Sequence, residues 1–284
     1  MIDAVTIREV GPRDGLQAES PVPIDKRAAL VRTLAGAGLR VIEAVSFASP
    51  KAVPAMAGAE EVVAAVDDLD GVTLVGLVLN RRGAERAMTT ALDALTFTLS
   101  ASAIYNERNV GMTIDQSVEQ LRAIVAIAAD RPIDCVVSYA FAEPPDDVAA
   151  LAARCLDAGA SSLTLADTTG VATPRRVEEL LARTGTEVSL HLHDTRGTAL
   201  VNAYSAMTAG VRRFDTSVGG LGGSPFAPEA GGNLATEDLV HVCDDLGITT
   251  GVDLTQLLEV STMVAELVGH PVPSRIAAAA TRHS

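Results

Sequence analysis

Along the 284-residue chain, apolar and polar positions repeat one unit: a short run of β-branched or alternating residues, then an amphipathic segment of helical period. Eight such runs, at 5–10, 41–47, 73–79, 94–100, 134–140, 162–168, 188–193 and 213–218, predict strands. The segments that follow them predict helices at roughly 25–37, 58–68, 83–92, 114–129, 146–158, 174–184, 199–209 and 236–246. Start and stop signals sharpen several of these. Asp25 is placed to cap the first helix and Gly38 to end it. Pro145 or Asp146 opens the fifth, with Gly159 behind it. Pro174 takes a first-turn position in the sixth, Thr236 is placed to cap the eighth, and Gly210 and Gly247 close the seventh and eighth.

Strict alternation of strand and helix means parallel pairing through crossover units. Eight units in about 245 residues match a (β/α)8 TIM barrel, which we assign to residues 1–247. A doubly wound sheet would show a Gly-x-Gly-x-x-Gly turn after its first strand, and Gly11-Pro12-Arg13-Asp14-Gly15 lacks that spacing. Residues 248–284 predict a C-terminal helical extension packed on the barrel: a helix from about Asp253 to Val268, then Pro271, Pro273 and an Ala-rich end. In such a barrel the C-terminal strand ends and the loops after them form the active face, so the polar residues there carry the functional question.

The formal net charge of −14 argues against a nucleic-acid or anionic-membrane surface. An anionic substrate therefore needs a local positive pocket or a metal ion. Cys135, Cys155 and Cys243 show no paired spacing and read as buried thiols of a reducing compartment. The N-terminus enters a strand at once, without the pattern of a signal peptide, and no apolar run reaches the ~18 residues of a membrane span. A cytoplasmic protein is expected.

Arg13, Asp14 and Gln17 follow the first strand; taken alone, an Arg-Asp pair says little. On the second strand Val41, Glu43 and Val45 share a face, so Glu43 should point inward, with Arg13 as the obvious partner for a buried carboxylate. A barrel-core ion pair would satisfy the same pattern. Asp167-Thr168-Thr169-Gly170 ends the sixth strand and is either site or capping chemistry. His191 and His193, two residues apart at the end of the seventh strand, face the same way and suit metal ligation, with Asp14 supplying an anionic oxygen. Mixed nitrogen and oxygen donors favour Mg2+, Mn2+ or a similar ion over structural zinc. The Gly- and Pro-rich run after Val218 is typical of a mobile lid, and Asn233 at its end offers another carbonyl oxygen.

With these residues assembled, the sequence resembles the 3-hydroxy-3-methylglutaryl-CoA lyase family of metal-dependent barrels. The motifs are Arg8-Glu-Val-Gly-Pro-Arg-Asp-Gly-Leu-Gln17, Val41-Ile-Glu-Ala-Val-Ser-Phe47, Ser49-Pro-Lys-Ala-Val-Pro54, His191-Leu-His-Asp-Thr195, Gly220-Leu-Gly-Gly223 and Gly232-Asn-Leu-Ala-Thr-Glu-Asp-Leu239. The resemblance implies Asp14, His191, His193 and Asn233 as divalent-metal ligands. It makes Arg13 the arginine that neutralises the enolate, with Gln17 beside it and Glu43 supporting the site. It further implies an acyl-CoA thioester as partner, with His191 a candidate shuttle for the hydroxyl proton; a homodimer is also expected. Lys51, one of two lysines, is a candidate CoA phosphate contact or simply a surface charge. Two positions depart from the family. Ser224 stands where a lid cysteine usually protonates the enolate, and Ser138-Tyr-Ala-Phe-Ala-Glu-Pro-Pro145 replaces the usual Cys-Pro-Tyr-Glu-Gly-like run. Besides retro-Claisen cleavage, a Claisen-condensing synthase of the same superfamily and a metal- and CoA-binding protein without turnover are the alternatives.

Overall fold

A computed structural model describes residues 2–223 and 231–280. Eight parallel strands close into a barrel in sequence order: β1 Thr6–Glu9, β2 Val41–Ser46, β3 Thr73–Val78, β4 Ala94–Ser100, β5 Ile133–Ser138, β6 Ser162–Asp167, β7 Ser189–Leu192 and β8 Arg213–Thr216. Each overlaps its expected run. The ring closes where β8 pairs with β1, Asp215 lying opposite Arg8 and Thr216 opposite Glu9. Around it lie α1 Ile24–Gly36, α2 Ala59–Ala64, α3 Arg81–Ala87, α4 Ala103–Val110, α5 Ile114–Ala128, α6 Pro145–Asp157, α7 Pro174–Thr184, α8 Ala199–Ala209 and α9 Thr236–Leu246. Their apolar faces and the outward side chains of the strands form one continuous core.

Four local features differ from the sequence reading. Helix α4 was not expected, because Ala103-Ile-Tyr-Asn-Glu-Arg-Asn-Val110 is short, polar and weakly periodic. Buried Asn106 anchors it: its Oδ1 accepts from Ser100 N at 2.9 Å and its Nδ2 donates to Met112 O and Ser117 Oγ at 2.7 and 2.8 Å. Asp25 is not a cap; α1 starts one residue earlier, behind Pro23, leaving Asp25 in the first turn. Thr236 is not a cap either, since its hydroxyl turns inward to Thr216 and Glu9. In β2 the pairing register shifts between Glu43 and Val45, so alternation breaks there. Glu43 points inward as expected, but Val45 and Phe47 pack outward toward Gly76, while Ser46 and Ala48 take over the inner wall. Elsewhere the punctuation holds: Pro174 opens α7 behind a Thr173 cap, and Gly210 and Gly247 close α8 and α9 with positive φ.

The C-terminal segment lies against the barrel. Helix α10, Leu254–Val268, is capped by Asp253, whose backbone N–H also donates to Ala37 O after α1 at 2.8 Å. Farther on, Ser274 N donates to Gly219 O at 2.9 Å and Ser274 Oγ to Asp238 at 2.9 Å, which pins the segment before α11, Arg275–Ala280, beside the end of β8. Among the described residues no helix is long and apolar enough to cross a membrane.

Candidate metal centre and active site

The chain after β1 does not run straight into a loop. Val10 O accepts from the backbone of Arg13, Asp14 and Gly15, winding Gly11–Gly15 into one wide turn that sets Arg13 and Asp14 side by side. The turn packs hard against the end of β8: a Cβ on Gly11 would lie 2.6 Å from Glu9 Oε1 and 2.9 Å from Val218 Cγ1. Glu9, facing away from the barrel axis, clips these pieces together. Its Oε1 accepts from Gly11 N and Val218 N, both at 2.8 Å, and its Oε2 lies 2.5 Å from Thr236 Oγ1. Burial pushes its carboxyl up to about 8, against the pull of those three bonds.

Arg13 reaches into the barrel mouth. Its Nε donates to Glu43 at 2.5 Å, its Nη2 pairs with the same carboxylate, and its Nη1 donates to Asp14 Oδ1 at 2.6 Å. Thr96 fixes the other oxygen of Glu43. Of the five guanidinium N–H groups, three are thus engaged and one remains on each Nη. Gln17 donates to Asp14 Oδ1 at 2.8 Å. Burial raises the Asp14 carboxyl, but Arg13 and the two histidines outweigh it and hold the group below the usual carboxylate range.

His191 and His193 face inward together, their Nε2 atoms 3.1 Å apart. His191 Nδ1 lies 3.1 Å from Asp215 Oδ2, and His193 Nδ1 lies 2.8 Å from Gly231 O. Carboxylate and carbonyl oxygens only accept, so each Nδ1 carries the proton and each Nε2 presents a lone pair. Two lone pairs facing each other at that distance repel, and a cation between them relieves the repulsion. Asp14 has a carboxylate oxygen within 4.8 Å of both ring nitrogens, making a buried Asp-His-His cluster. Asn233 completes the picture. Its Nδ2 donates to Asp14 Oδ2 at 2.8 Å and Leu221 O at 2.9 Å, which fixes the amide orientation and leaves Oδ1 buried without a partner. Converging lone pairs, an anionic oxygen and an orphaned carbonyl oxygen fit a divalent ion. Burial and the neighbouring His191 hold His193 down at about 4, so it is a neutral donor at physiological pH. Burial also depresses His191, but Asp215 and Asp14 reverse this and raise it.

Arg13, Asp14, Gln17, His191 and His193 line one cavity at the C-terminal face, with the hydroxyl groups of Ser46, Thr98, Ser138 and Thr168, the ring of Tyr105 and apolar Leu77, Leu79, Val136 and Ala166. Glu43 and Asn233 stand directly behind Arg13 and Asp14. Ser138, the last residue of β5 and the first of the departing run, is therefore on the cavity wall. Tyr139 beside it adopts φ +62°, with its N–H donating to Thr168 Oγ1 at 3.0 Å, and stacks on Tyr105 with ring centres 4.4 Å apart. Asp167 serves the loop rather than the cavity: its carboxylate accepts from Val171 N and Ala172 N, at 2.8 and 3.1 Å, while Thr173 caps α7. Lys51 is exposed in a different cleft, with Ser49, Asn80, Arg82 and Arg86, and does not line this one. Ser224 lies outside the described residues.

Two residues went unread in the sequence. Arg8 and Asp215 face the barrel axis beneath His191, and Asp215 lies opposite His191 in register. The signal was a charged residue inside a predicted strand, which once buried must be paired; the face it takes relative to the histidines follows only from the register between strands.

The model of the HMGL-like family matches residues 4–264. A hydroxymethylglutaryl-CoA lyase of Pseudomonas mevalonii is 39% identical over 288 residues, covering 96% of each chain. An (R)-citramalyl-CoA lyase of Chloroflexus aurantiacus is 38% identical, covering 97% of this chain and 94% of its own. The solved structure of the Bacillus subtilis HMG-CoA lyase superposes with a TM-score of 0.94 at 37% identity, covering 99% of both chains. With a match across most of its length and the site residues at the mouth of the expected barrel, the chain belongs to the HMGL-like family.

Proposed function

We propose that this protein is a divalent-metal-dependent lyase that cleaves 3-hydroxy-3-methylglutaryl-CoA, or a close 3-hydroxyacyl-CoA analogue, into acetyl-CoA and a keto acid, acetoacetate in the first case. The observation that carries the reading is the convergence of Asp14, His191, His193 and the unpartnered Asn233 Oδ1 beside Arg13. Mg2+ or Mn2+ suits that donor set. Held by Asp14, His191, His193 and Asn233, such an ion would acidify and orient the tertiary hydroxyl of the substrate.

The side chains account for the rest. As the hydroxyl proton passes to solvent water at the open mouth of the cavity, the hydroxyl carbon becomes a ketone and its bond to the thioester α-carbon breaks. The electron pair moves onto the thioester as an enolate, and a proton returned from solvent to the α-carbon completes acetyl-CoA. Arg13, aimed by Glu43 and Asp14, has an N–H free on each Nη for the enolate oxygen; fixed donors of this kind stabilise developing charge without reorganising. Both nitrogens of His191 are committed, Nδ1 to Asp215 and Nε2 to the ligand cluster, so its part is to hold the site and not to exchange the substrate proton. The hydroxyl groups of Ser46, Thr98, Ser138 and Thr168 give the cavity neutral hydrogen-bonding capacity for the acyl end.

The test is a thioester panel. The purified chain with Mg2+ or Mn2+ is offered 3-hydroxy-3-methylglutaryl-CoA, citramalyl-CoA and longer branched 3-hydroxyglutaryl-CoA analogues, and acetyl-CoA release is followed. Release from at least one, lost on chelation, is the expected result; none from any would refute the reading.

A further inference from the structure

Beneath the two imidazoles runs a line of side chains that the chemistry above leaves without a task. Arg8 donates to Asp215 twice, Nε to Oδ1 at 2.8 Å and Nη2 to Oδ2 at 2.7 Å. Its Nη1 continues to Asp134 on β5 at 2.9 Å, and Nη2 also reaches Thr164 Oγ1 on β6 at 3.0 Å. Four strands are thus tied across the barrel axis below the site, and the last link is Asp215 to His191. We infer that Asp215, clamped by Arg8, is a positioning residue that locks His191 in the tautomer carrying its proton on Nδ1 and so aims the Nε2 lone pair at the divalent ion. The inference rests on the metal reading given above.

The clamp explains why an ionised carboxylate is used at this depth. Asp215 is 3% exposed and needs compensation, which Arg8 supplies through a two-pronged, planar contact that fixes the carboxylate plane. Asp134 in turn balances Arg8. A carboxylate so held can neither rotate away nor donate, and His191 Nδ1 meets an acceptor at all times. His193 is treated differently: its Nδ1–H goes to a neutral backbone carbonyl, Gly231 O. The two ligands are therefore unequal, and the carboxylate-backed imidazole is the more basic donor. Without Asp215, either nitrogen of His191 could hold the proton and the ring could swing about its side-chain axis.

Two measurements on the full-length, metal-stripped chain decide this. Long-range 1H–15N correlation of the imidazole nitrogens, run without metal above the histidine titration range, should show His191 protonated on Nδ1 and bare on Nε2. Mn2+ titration, read from the electron paramagnetic resonance signal of the free ion, should show affinity falling about 10- to 100-fold in Asp215→Ala. Asp215→Asn can still turn an amide oxygen to His191, so it should keep the tautomer and most of the affinity while losing thermal stability as Arg8 forfeits an acceptor. A His191 proton on Nε2 in the wild type, undiminished affinity in a folded Asp215→Ala, or equal losses in the two variants would overturn the inference. If the wild type binds no Mn2+, the metal reading fails instead. The tautomer measurement then still decides the role of Asp215, as it does if Asp215→Ala cannot be folded.

Discussion

Glu9 makes a stability prediction that is independent of substrate. The perturbation is Glu9→Gln. In the wild type burial raises the carboxyl from about 4.5 unfolded to about 8 folded. The native state therefore holds this proton more tightly than the unfolded chain. The stability it contributes is fully present below about pH 4.5 and is lost as pH rises toward 8. At about 1.36 kcal/mol per pH unit, the whole range amounts to roughly 5 kcal/mol, and the stretch from pH 6 to 8, where the slope falls off as the group ionises, to roughly 2 kcal/mol. Glutamine has nearly the same shape. Its oxygen can accept from Gly11 N and Val218 N in the place of Oε1, and its NH2 can donate to Thr236 Oγ1, which has Thr216 Oγ1 at 2.7 Å as its other partner. The variant should fold to the same structure without this titration. With roughly 2–4 °C per kcal/mol for a chain of this size, the melting temperature of the variant should rise relative to that of the wild type by about 4–8 °C from pH 6 to 8. Scanning calorimetry at half-unit pH steps measures it. Glu237, pushed to about 7 by burial while accepting from Gly219 N, remains in both proteins and largely cancels in the difference. Parallel curves across that window would show that Glu9 is ionised in the folded protein and that the reasoning is wrong.

Three further outcomes are expected. Gly222→Ala should weaken Mn2+ binding at least tenfold with the barrel intact. A Cβ there would lie 2.3 Å from Asn233 Nδ2 and 3.1 Å from Asp14 Oδ2 at a φ of +116° that L-residues avoid; unaltered affinity in equilibrium dialysis would contradict the placement of Asn233. Arg13→Lys should lower kcat by roughly 10²- to 10³-fold, because an ammonium cannot grip Glu43 with two donors and still serve the enolate oxygen; steady-state kinetics on the active thioester check it. Ser224→Cys should raise turnover if protonation of the enolate limits the rate, since a thiol (ordinary pKa about 8.5) is far more acidic than a serine hydroxyl; an unchanged kcat would remove that position from the rate-limiting step.

The barrel was legible because its signal is distributed: eight runs with period 2 and the helices between them each repeat the same instruction, so an error in one cap leaves the topology intact. Asp25 and Thr236 show how local such errors are. Both have cap-forming side chains beside a helix start, but Pro23 already sets the entry to α1, and Thr236 is drawn inward because buried Glu9 needs a partner more than an exposed amide does. The site residues were legible for another reason. His191 and His193 sit on one strand, where parity alone fixes their common direction, and Arg13-Asp14 follow a strand end that topology delivers to the same mouth. What parity cannot supply is pairing across the barrel. Arg8, Asp134 and Asp215 lie on three strands separated by up to 207 positions in the chain, and only their register reveals that they meet. The shift in β2 belongs to the same class: after Glu43 a single irregularity exchanges inner and outer faces, so that Ser46 and Ala48, not Val45 and Phe47, reach the cavity. Because the groups that orient Arg13 and His191 are the cross-strand ones, substitutions at Glu43 or Asp215 should reach the chemistry through direction rather than through contact, changing metal affinity and kcat before they change the fold.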